Sequence, residues 1–350
     1  MKIGIVGAGG ISRHHVAAAT RYPGCSIVGI ADRDVQRAQA QAALHTIPRA
    51  FASLTELLGL RPDVVHICTP PDSHEALACE ALAAGAHVYV EKPMAISVAA
   101  CANMKAAAAR AGRQLCVGHS MLFMPAVERA RQLLRSGLAG EVVHAAAGFN
   151  YDVRRNTTFG TGHWARSLPG GLAEDLAVHP ASLLIHLLGV PERIMAVDRI
   201  SADVPDGKTA DLVAALESEN GLGTLSVSLR ARPDMALLDV SCTKMMLRLN
   251  IASMALTIYR ERRLPKPVAR AVANLDAAGQ LVGGTVAAGL NLMRGKVDGS
   301  WGVVPLIRRF YAALEAGQPA PFSADQGMQV VALVRSLWPD SHAIPGKAAA

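Results

Sequence analysis

Three side chains in this 350-residue sequence have the types and spacing to move a proton and steady a charged oxygen. Asp175 and His179 stand four apart beside an apolar stretch that predicts a helix over 176–188, so they share one face. Lys92 follows the apolar run 87–90, which predicts a strand. It therefore stands at a strand's C-terminal end, where doubly wound folds bind ligands. Taking hydride from an alcohol requires its hydroxyl proton to leave as well. Histidine, with an ordinary pKa of about 6.5, suits that task, which makes His179 the candidate base. Lys92 would hydrogen-bond the same oxygen and stabilise its developing charge. Asp175 would orient or charge-balance the other two. Taken singly, each has a plainer reading: Glu91-Lys92 as a surface ion pair, His179 as a satisfied core histidine.

The hydride acceptor is suggested at the other end of the chain. Gly7-Ala8-Gly9-Gly10-Ile11-Ser12 follows the strand 2–6 directly and opens a helix. Gly7 permits a tight turn, Gly9 leaves room for a pyrophosphate, and the helix N-terminus presents N–H groups to the phosphates. Ser12 occupies the third fingerprint position, usually Gly or Ala. The next strand, 26–30, is followed by Ala31 and Asp32, whose carboxylate can accept both ribose hydroxyls of NAD and repels a 2′-phosphate. Arg33 could stack on adenine or meet a phosphate. This pattern favours NAD and leaves NADP open.

These residues need a frame to position them. Short apolar runs at 2–6, 26–30, 64–68, 87–90 and 114–117 alternate with helix-like stretches. This pattern predicts a Rossmann domain over 1–120, a doubly wound parallel sheet covered on both faces. Beyond it the periodicity changes. A helix over 125–135, a strand near 142–149 and a long polar loop over 150–171 precede the helix that carries His179. Strand-like segments follow from 193 onward, with Asn220-Gly221 as a hairpin signal. Two helices, over 303–316 and 323–337, close the chain. The fold class is therefore α/β: a Rossmann domain plus an α+β domain over 121–350 with an open, mainly antiparallel sheet.

Three segments in this order resemble the Gfo/Idh/MocA family, the group of glucose–fructose oxidoreductase and inositol dehydrogenases. They are Ile67-Cys68-Thr69-Pro70-Pro71-Asp72-Ser73-His74, the Glu91-Lys92-Pro93 that ends the strand from His87, and Gly170-Gly171-Leu172-Ala173-Glu174-Asp175 with His179 four residues on. The resemblance runs from Met1 to about Gly189. It implies catalytic roles for Lys92, Asp175 and His179. It implies cofactor contacts from Gly7, Ala8, Gly9, Gly10, Ile11, Asp32, Arg33, Thr69, Pro70, His74, Glu91 and Lys92. One departure concerns the substrate: the family often has Asp three residues after the motif histidine, whereas Ser182 stands here, and Pro180 follows His179 directly.

Substrate candidates come from side-chain chemistry. The loop around 151–164 carries Tyr151, Arg154, Arg155, Asn156, His163 and Trp164, suited to a hydroxylated and even anionic ligand. A solvated loop is the alternative. His119, after the last Rossmann strand, either lines the same cleft or bridges the domains. The expected ligand is a small polyhydroxylated molecule, and the expected reaction is hydride exchange with a secondary alcohol or ketone of a sugar, cyclitol or sugar derivative. Alternatives are a retained cofactor that assists elimination, epimerisation or glycosidic cleavage by transient oxidation, and a non-catalytic sensor.

The net charge of +7 carries no long Lys/Arg run and aromatics are 4%, which speaks against nucleic acid. No metal site is expected, because the six cysteines show no CxxC pair or zinc-ligand spacing. Unpaired cysteines fit a reducing compartment. The strand starting at Lys2 leaves no room for a signal peptide, so a cytoplasmic protein is expected. The uncharged stretch 277–293 is too short and polar for a membrane span and reads as a buried helix or a subunit contact. A homodimer or homotetramer is expected by analogy with the family.

Overall fold

The computed structural model describes residues 1–155, 160, 162–204, 207–293, 300 and 302–338. Its first half is a parallel sheet of β1 (Lys2–Val6), β2 (Ser26–Ala31), β3 (Ala50–Phe51), β4 (Val64–Ile67), β5 (His87–Val90) and β6 (Leu115–Val117). The order is β3-β2-β1-β4-β5-β6. Strands such as Val64-Val65-His66-Ile67 are wholly buried because helices cover both faces. Those helices are α1 (Ser12–Thr20), α2 (Val35–His45), α3 (Leu54–Leu58), α4 (His74–Ala83) and α5 (Val98–Ala111). Strand order reverses between β1 and β4, which opens a crevice at their C-terminal ends. β3, two residues long, is an element the hydrophobic pattern does not reveal.

The second half is built on α6 (Pro125–Arg135), β7 (Val142–Asn150) and α7 (Leu172–Leu188). The remaining strands are β8 (Pro191–Ile200), β9 (Thr209–Ser218), β10 (Gly221–Ser228), β11 (Met235–Cys242), β12 (Met245–Asn250) and β13 (Ala255–Arg260). The seven-stranded sheet runs β13-β12-β11-β7-β10-β9-β8. Every neighbouring pair is antiparallel except β7 with β10. α7 packs on β7, β9 and β10. The β9–β10 turn is Glu219-Asn220, one residue before the Asn-Gly pair. Gly221 opens β10 with φ +130, and a Cβ there would lie 2.7 Å from the Val143 carbonyl oxygen.

After α8 (Lys266–Met293) the chain returns to the first half through α9 (Val303–Glu315) and α10 (Ala324–Ser336). α9 packs on α1, and α10 on α5 and α7. Phe322 accepts a hydrogen bond from the Val117 amide at 3.1 Å, so the C-terminal segment touches the edge of the parallel sheet. The stretch 277–293, expected as a buried helix or a subunit contact, is helical but not buried within the chain: Val282, Val286 and Met293 are 66%, 56% and 78% exposed, so the first of the two alternatives does not hold. Among the described residues α8 packs chiefly on β13. No described helix is long and apolar enough to cross a membrane.

Candidate active site

The crevice begins with the turn after β1. Gly7 has φ +94, and a Cβ there would lie 2.7 Å from the backbone carbonyl of Cys68. A Cβ at Gly9 or Gly10 would meet no protein atom within 4 Å. The chain's own packing therefore does not demand glycine at these two positions; bare backbone faces open space that a pyrophosphate can enter. Ser12 closes the turn, its hydroxyl donating to the Gly9 carbonyl at 2.7 Å. The positive end of α1 lies here. Asp32 ends in the same place: its carboxylate accepts from the Ala8 amide at 2.8 Å and from the Asp34 amide at 2.9 Å. Arg33 beside it is exposed. Residues Gly7 to Ile11 and Asp32 thus fit a dinucleotide with free ribose hydroxyls.

Two further loops complete the crevice wall. Thr69 shares a 2.7 Å hydroxyl contact with Ser73, and Pro70 is exposed at the turn. His74 is fully buried. Its Nε2 lies 2.8 Å from the Thr69 carbonyl, and its Nδ1 lies 3.1 Å from that of Pro93. The ring staples the loop after β4 to the loop after β5. Glu91 accepts from the Lys92 amide at 3.3 Å. Gly118 passes so close that a Cβ would sit 3.1 Å from the Glu91 carboxylate.

Lys92 reaches out of this loop to Asp175, with Nζ 2.8 Å from Oδ1. The side chains are 18% and 5% exposed, so the pair is largely dry. α7 starts at Leu172, four residues earlier than the apolar pattern suggests, which puts Asp175 in its first turn. The helix N-terminus there favours a negative group. The preceding glycines serve packing: a Cβ on Gly170 would lie 2.4 Å from the Trp338 ring, and Gly171 holds φ +61 against Lys208. Glu174 braces the turn, accepting from the Gly170 amide at 2.9 Å and from Arg335 at 3.0 Å.

His179 lies one turn further along α7, half-buried and stacked on Phe149 at 5.7 Å. Burial, then the charge of Lys92, then His119, pushes its pKa well below 6.5. The imidazole is therefore neutral at pH 7 and free to accept a proton. Pro180 sits inside α7 and has no amide to give to Leu176. Ser182 is buried, its hydroxyl donating to the His179 carbonyl at 2.8 Å, so it braces the helix backbone.

Of the remaining candidates, His163 and Trp164 stand together, their rings 5.3 Å apart. Asp175 and Lys92 both act electrostatically on His163, so the structure brings this histidine near the Lys92–Asp175 pair. Tyr151 is half-buried at the end of β7. His119 lies deeper: it is 1% exposed, packs on Phe322 at 4.7 Å and is pushed down to about 3 by burial and Lys92. Arg154 is taken up by Asp152, with Nε 2.8 Å from Oδ1, and Arg232 holds the other oxygen at 2.6 Å. Arg155 is exposed, and Asn156 lies outside the described residues. Among the described residues no group of three or more His, Cys, Asp or Glu could hold a metal.

Comparison with known proteins decides the family. A model described as the oxidoreductase family with an NAD-binding Rossmann fold matches residues 1–119, and the C-terminal domain model of the same family matches 127–248. The trans-1,2-dihydrobenzene-1,2-diol dehydrogenase of Mus musculus is 31% identical over 236 residues, 65% of this chain and 69% of that protein. The chain belongs to the Gfo/Idh/MocA oxidoreductase family. A D-apiose dehydrogenase of Paraburkholderia graminis is 28% identical over 61% of this chain and 57% of its own length. The WlbA dehydrogenase of Bordetella pertussis, solved with NADH and UDP-GlcNAcA, shares the fold of this Gfo/Idh/MocA chain. Its TM-score is 0.79 at 20% identity, with 97% of this chain and 94% of that one covered. Like its family, the chain is an NAD-dependent oxidoreductase.

A set of residues in this Gfo/Idh/MocA chain escapes motif reading. Glu91 is hydrogen-bonded at 2.9 Å to His15 Nε2, His15 Nδ1 lies 2.8 Å from His66 Nδ1, and His66 Nε2 lies 2.9 Å from the Tyr311 hydroxyl. Both histidines and Tyr311 are 0% exposed. Burial, then His15, holds the His66 pKa well below 6.5. The neutral His66 ring has one donor and one acceptor nitrogen, so it can join the Tyr311 hydroxyl to His15, and His15 in turn meets Glu91. The chain ties α9, α1 and β4 to the loop that presents Lys92.

The buried histidines predict acid sensitivity. His66, His119, His179 and His186 are all held below 6.5, chiefly by burial. In the unfolded chain they titrate near about 6.5, so below that pH the unfolded state binds more protons and stability falls. At pH 5.5 each such group removes about 1.4 kcal/mol. The melting temperature should drop by about 10 °C between pH 7.5 and 5.5 in a calorimetric scan. A flat profile over that range would show that the histidines are not desolvated in the fold.

Proposed function

We propose that the chain is an NAD-dependent dehydrogenase exchanging hydride with a secondary alcohol or ketone on a small polyhydroxylated ring: a sugar, a cyclitol or a related cyclic diol. The observation that carries this reading is the Lys92–Asp175 pair at 2.8 Å with the neutral His179 one helical turn away. NAD supplies the hydride acceptor. His179 takes the alcohol proton as the C–H bond breaks, Lys92 donates a hydrogen bond to the same oxygen, and Asp175 holds Lys92 in place. In the reverse direction the imidazolium returns the proton to the carbonyl oxygen. Similarity to dehydrogenases of dihydrobenzene diol and D-apiose supports the substrate class.

We assign residues 1–120 to cofactor binding and 121–350 to substrate binding, with α9 and α10 bracing the first half. Tyr151, His163 and Trp164 are the proposed substrate contacts, and His119 and Arg154 support the cleft from behind. The six free cysteines support a reducing, cytoplasmic setting.

Incubation with NAD and a panel of aldoses, sugar acids, cyclitols and cyclic diols should raise the reduced-nicotinamide absorbance with one class of ring. Tight NAD binding with no reduced cofactor on any of them would point to internal redox cycling, to be sought as product isomers. The cofactor preference rests on Asp32. Asp32→Ala should narrow the ratio of NAD to NADP affinity by about tenfold or more, through loss of the ribose ligand and of the charge that opposes a 2′-phosphate. An unchanged ratio would remove Asp32 from that role.

A further inference from the structure

α8 is amphipathic the wrong way round for a helix on a protein surface. Ala269, Ala273, Ala277, Gln280, Gly284 and Ala288 recur at steps of four and three and are half-buried, so a face of small and weakly polar residues meets the protein. On that face the Gln280 amide bonds both the N–H and the carbonyl of Ile258 on the edge strand β13. Val268, Leu275, Val282, Val286 and Met293 stand on the other side, at steps of seven and four, and all are exposed. A surface helix ordinarily turns its large apolar side chains inward. Here they face out along a helix of 28 residues, about 42 Å long.

Charge says what covers this side. Arg260, Arg262, Arg263, Lys266 and Arg270 lead into α8 against one acid, Glu261, and Arg294 and Lys296 follow Met293 in the sequence. Asp276, the acid within α8, is ion-paired with Arg262. Cations thus bracket the apolar stretch in the sequence. Two copies laid together along it would set like charges side by side whether the helices ran parallel or antiparallel. An anionic surface neutralises both ends at once. A second copy of the chain has other apolar ground, since Met195, Val197, Val213 and Leu222 are exposed on the outer face of the seven-stranded sheet.

We propose that α8 seats the protein on an anionic lipid membrane surface. The helix lies in the plane of the headgroups, with Leu275, Val282, Val286 and Met293 turned to the acyl chains and the flanking arginines and lysines beside lipid phosphates. The contact is peripheral, because no described helix is long and apolar enough to cross a membrane. Binding of this kind adds apolar burial to electrostatic attraction, so it responds both to a charge placed on the apolar side and to salt.

The full chain should float in a density gradient with vesicles of mixed phosphatidylglycerol and phosphatidylcholine, and much less with phosphatidylcholine alone. Val282→Glu should lower the bound fraction by about tenfold or more while NAD binding is kept, because it carries a charge into the acyl region. Arg263→Glu/Lys266→Glu should weaken binding and flatten its dependence on salt. Insertion has its own readout: Val286→Trp should be quenched by lipids with brominated acyl chains, beyond the quenching of the wild-type tryptophans. Wild-type protein that stays below the vesicles would overturn the proposal. So would equal flotation of Val282→Glu, a Val286→Trp signal untouched by brominated chains, or a concentration-dependent association in sedimentation velocity that Val282→Glu removes in the absence of any flotation.

Discussion

Lys92→Ala should lower kcat by about 10³-fold and leave the NAD dissociation constant within about twofold of its starting value. The two effects separate because different parts of the crevice carry them. In the proposed reading the nucleotide would be held by backbone from Gly7 to Ser12 and by Asp32, around the ends of β1 and β2 and the start of α1. Lys92 stands at the end of β5 and turns its ammonium to Asp175 on α7. Without it the substrate oxygen of the proposed reaction would lose a charged donor in a largely dry site, where such a donor matters most. Asp175, 5% exposed on its side chain, also loses its partner, which costs about 3 kcal/mol of stability. Activity is therefore measured well below a melting temperature determined on the same sample. Lys92→Arg keeps the charge and should recover the stability better than the rate, because a planar guanidinium places its donors differently from an ammonium. Loss of NAD affinity in step with turnover would contradict the division of labour between the two halves.

His179→Ala should lower kcat for alcohol oxidation by about 10²- to 10⁴-fold, with NAD binding again retained. Its more specific consequence lies in the pH profile. The folded pKa of His179 is depressed, so the neutral base persists to lower pH than an ordinary histidine allows. Oxidation by the wild type should stay level from pH 8 down through 6.5 and decline only below. His179→Ala should lack that acidic limb, and added imidazole should restore part of the rate. A half-maximal point at 6.5 would mean that the ring is not desolvated beside Lys92. An identical limb in the variant would assign the base elsewhere.

How much of this was legible before any coordinates depended on how local each signal is. The parallel sheet showed itself through unbroken Val/Ile runs and a glycine turn, both encoded within a few neighbouring residues. Asp175 and His179 were paired by helical spacing alone. β3 was invisible because two residues carry no period. α7 starts before its apolar pattern does because Leu172-Ala173-Glu174-Asp175 looks half polar; its acids are buried because Gly170 bonds Glu174 and Lys92 bonds Asp175. The chain from Glu91 to Tyr311 joins residues 76, 51 and 245 positions apart, a separation no short motif spans. Arg154 had the chemistry of a ligand, but Asp152, two residues away, already takes its guanidinium. The apolar stretch 277–293 announces a helix, but apolar content does not say on which side the packing lies, so it leaves a buried helix and a subunit contact equally open.

The central claim is direct hydride transfer at the Lys92–Asp175–His179 cleft, and isotopic labelling tests it most directly. The best alcohol from the substrate panel is prepared with deuterium at its carbinol carbon and incubated with the protein and NAD, and the reduced cofactor is examined by mass spectrometry. Hydride transfer predicts one deuterium per reduced nicotinamide and a primary isotope effect on the wild-type rate, with both signals lost in a Lys92→Ala/His179→Ala double variant. Reduced cofactor free of deuterium, or undiminished transfer by the double variant, would contradict it.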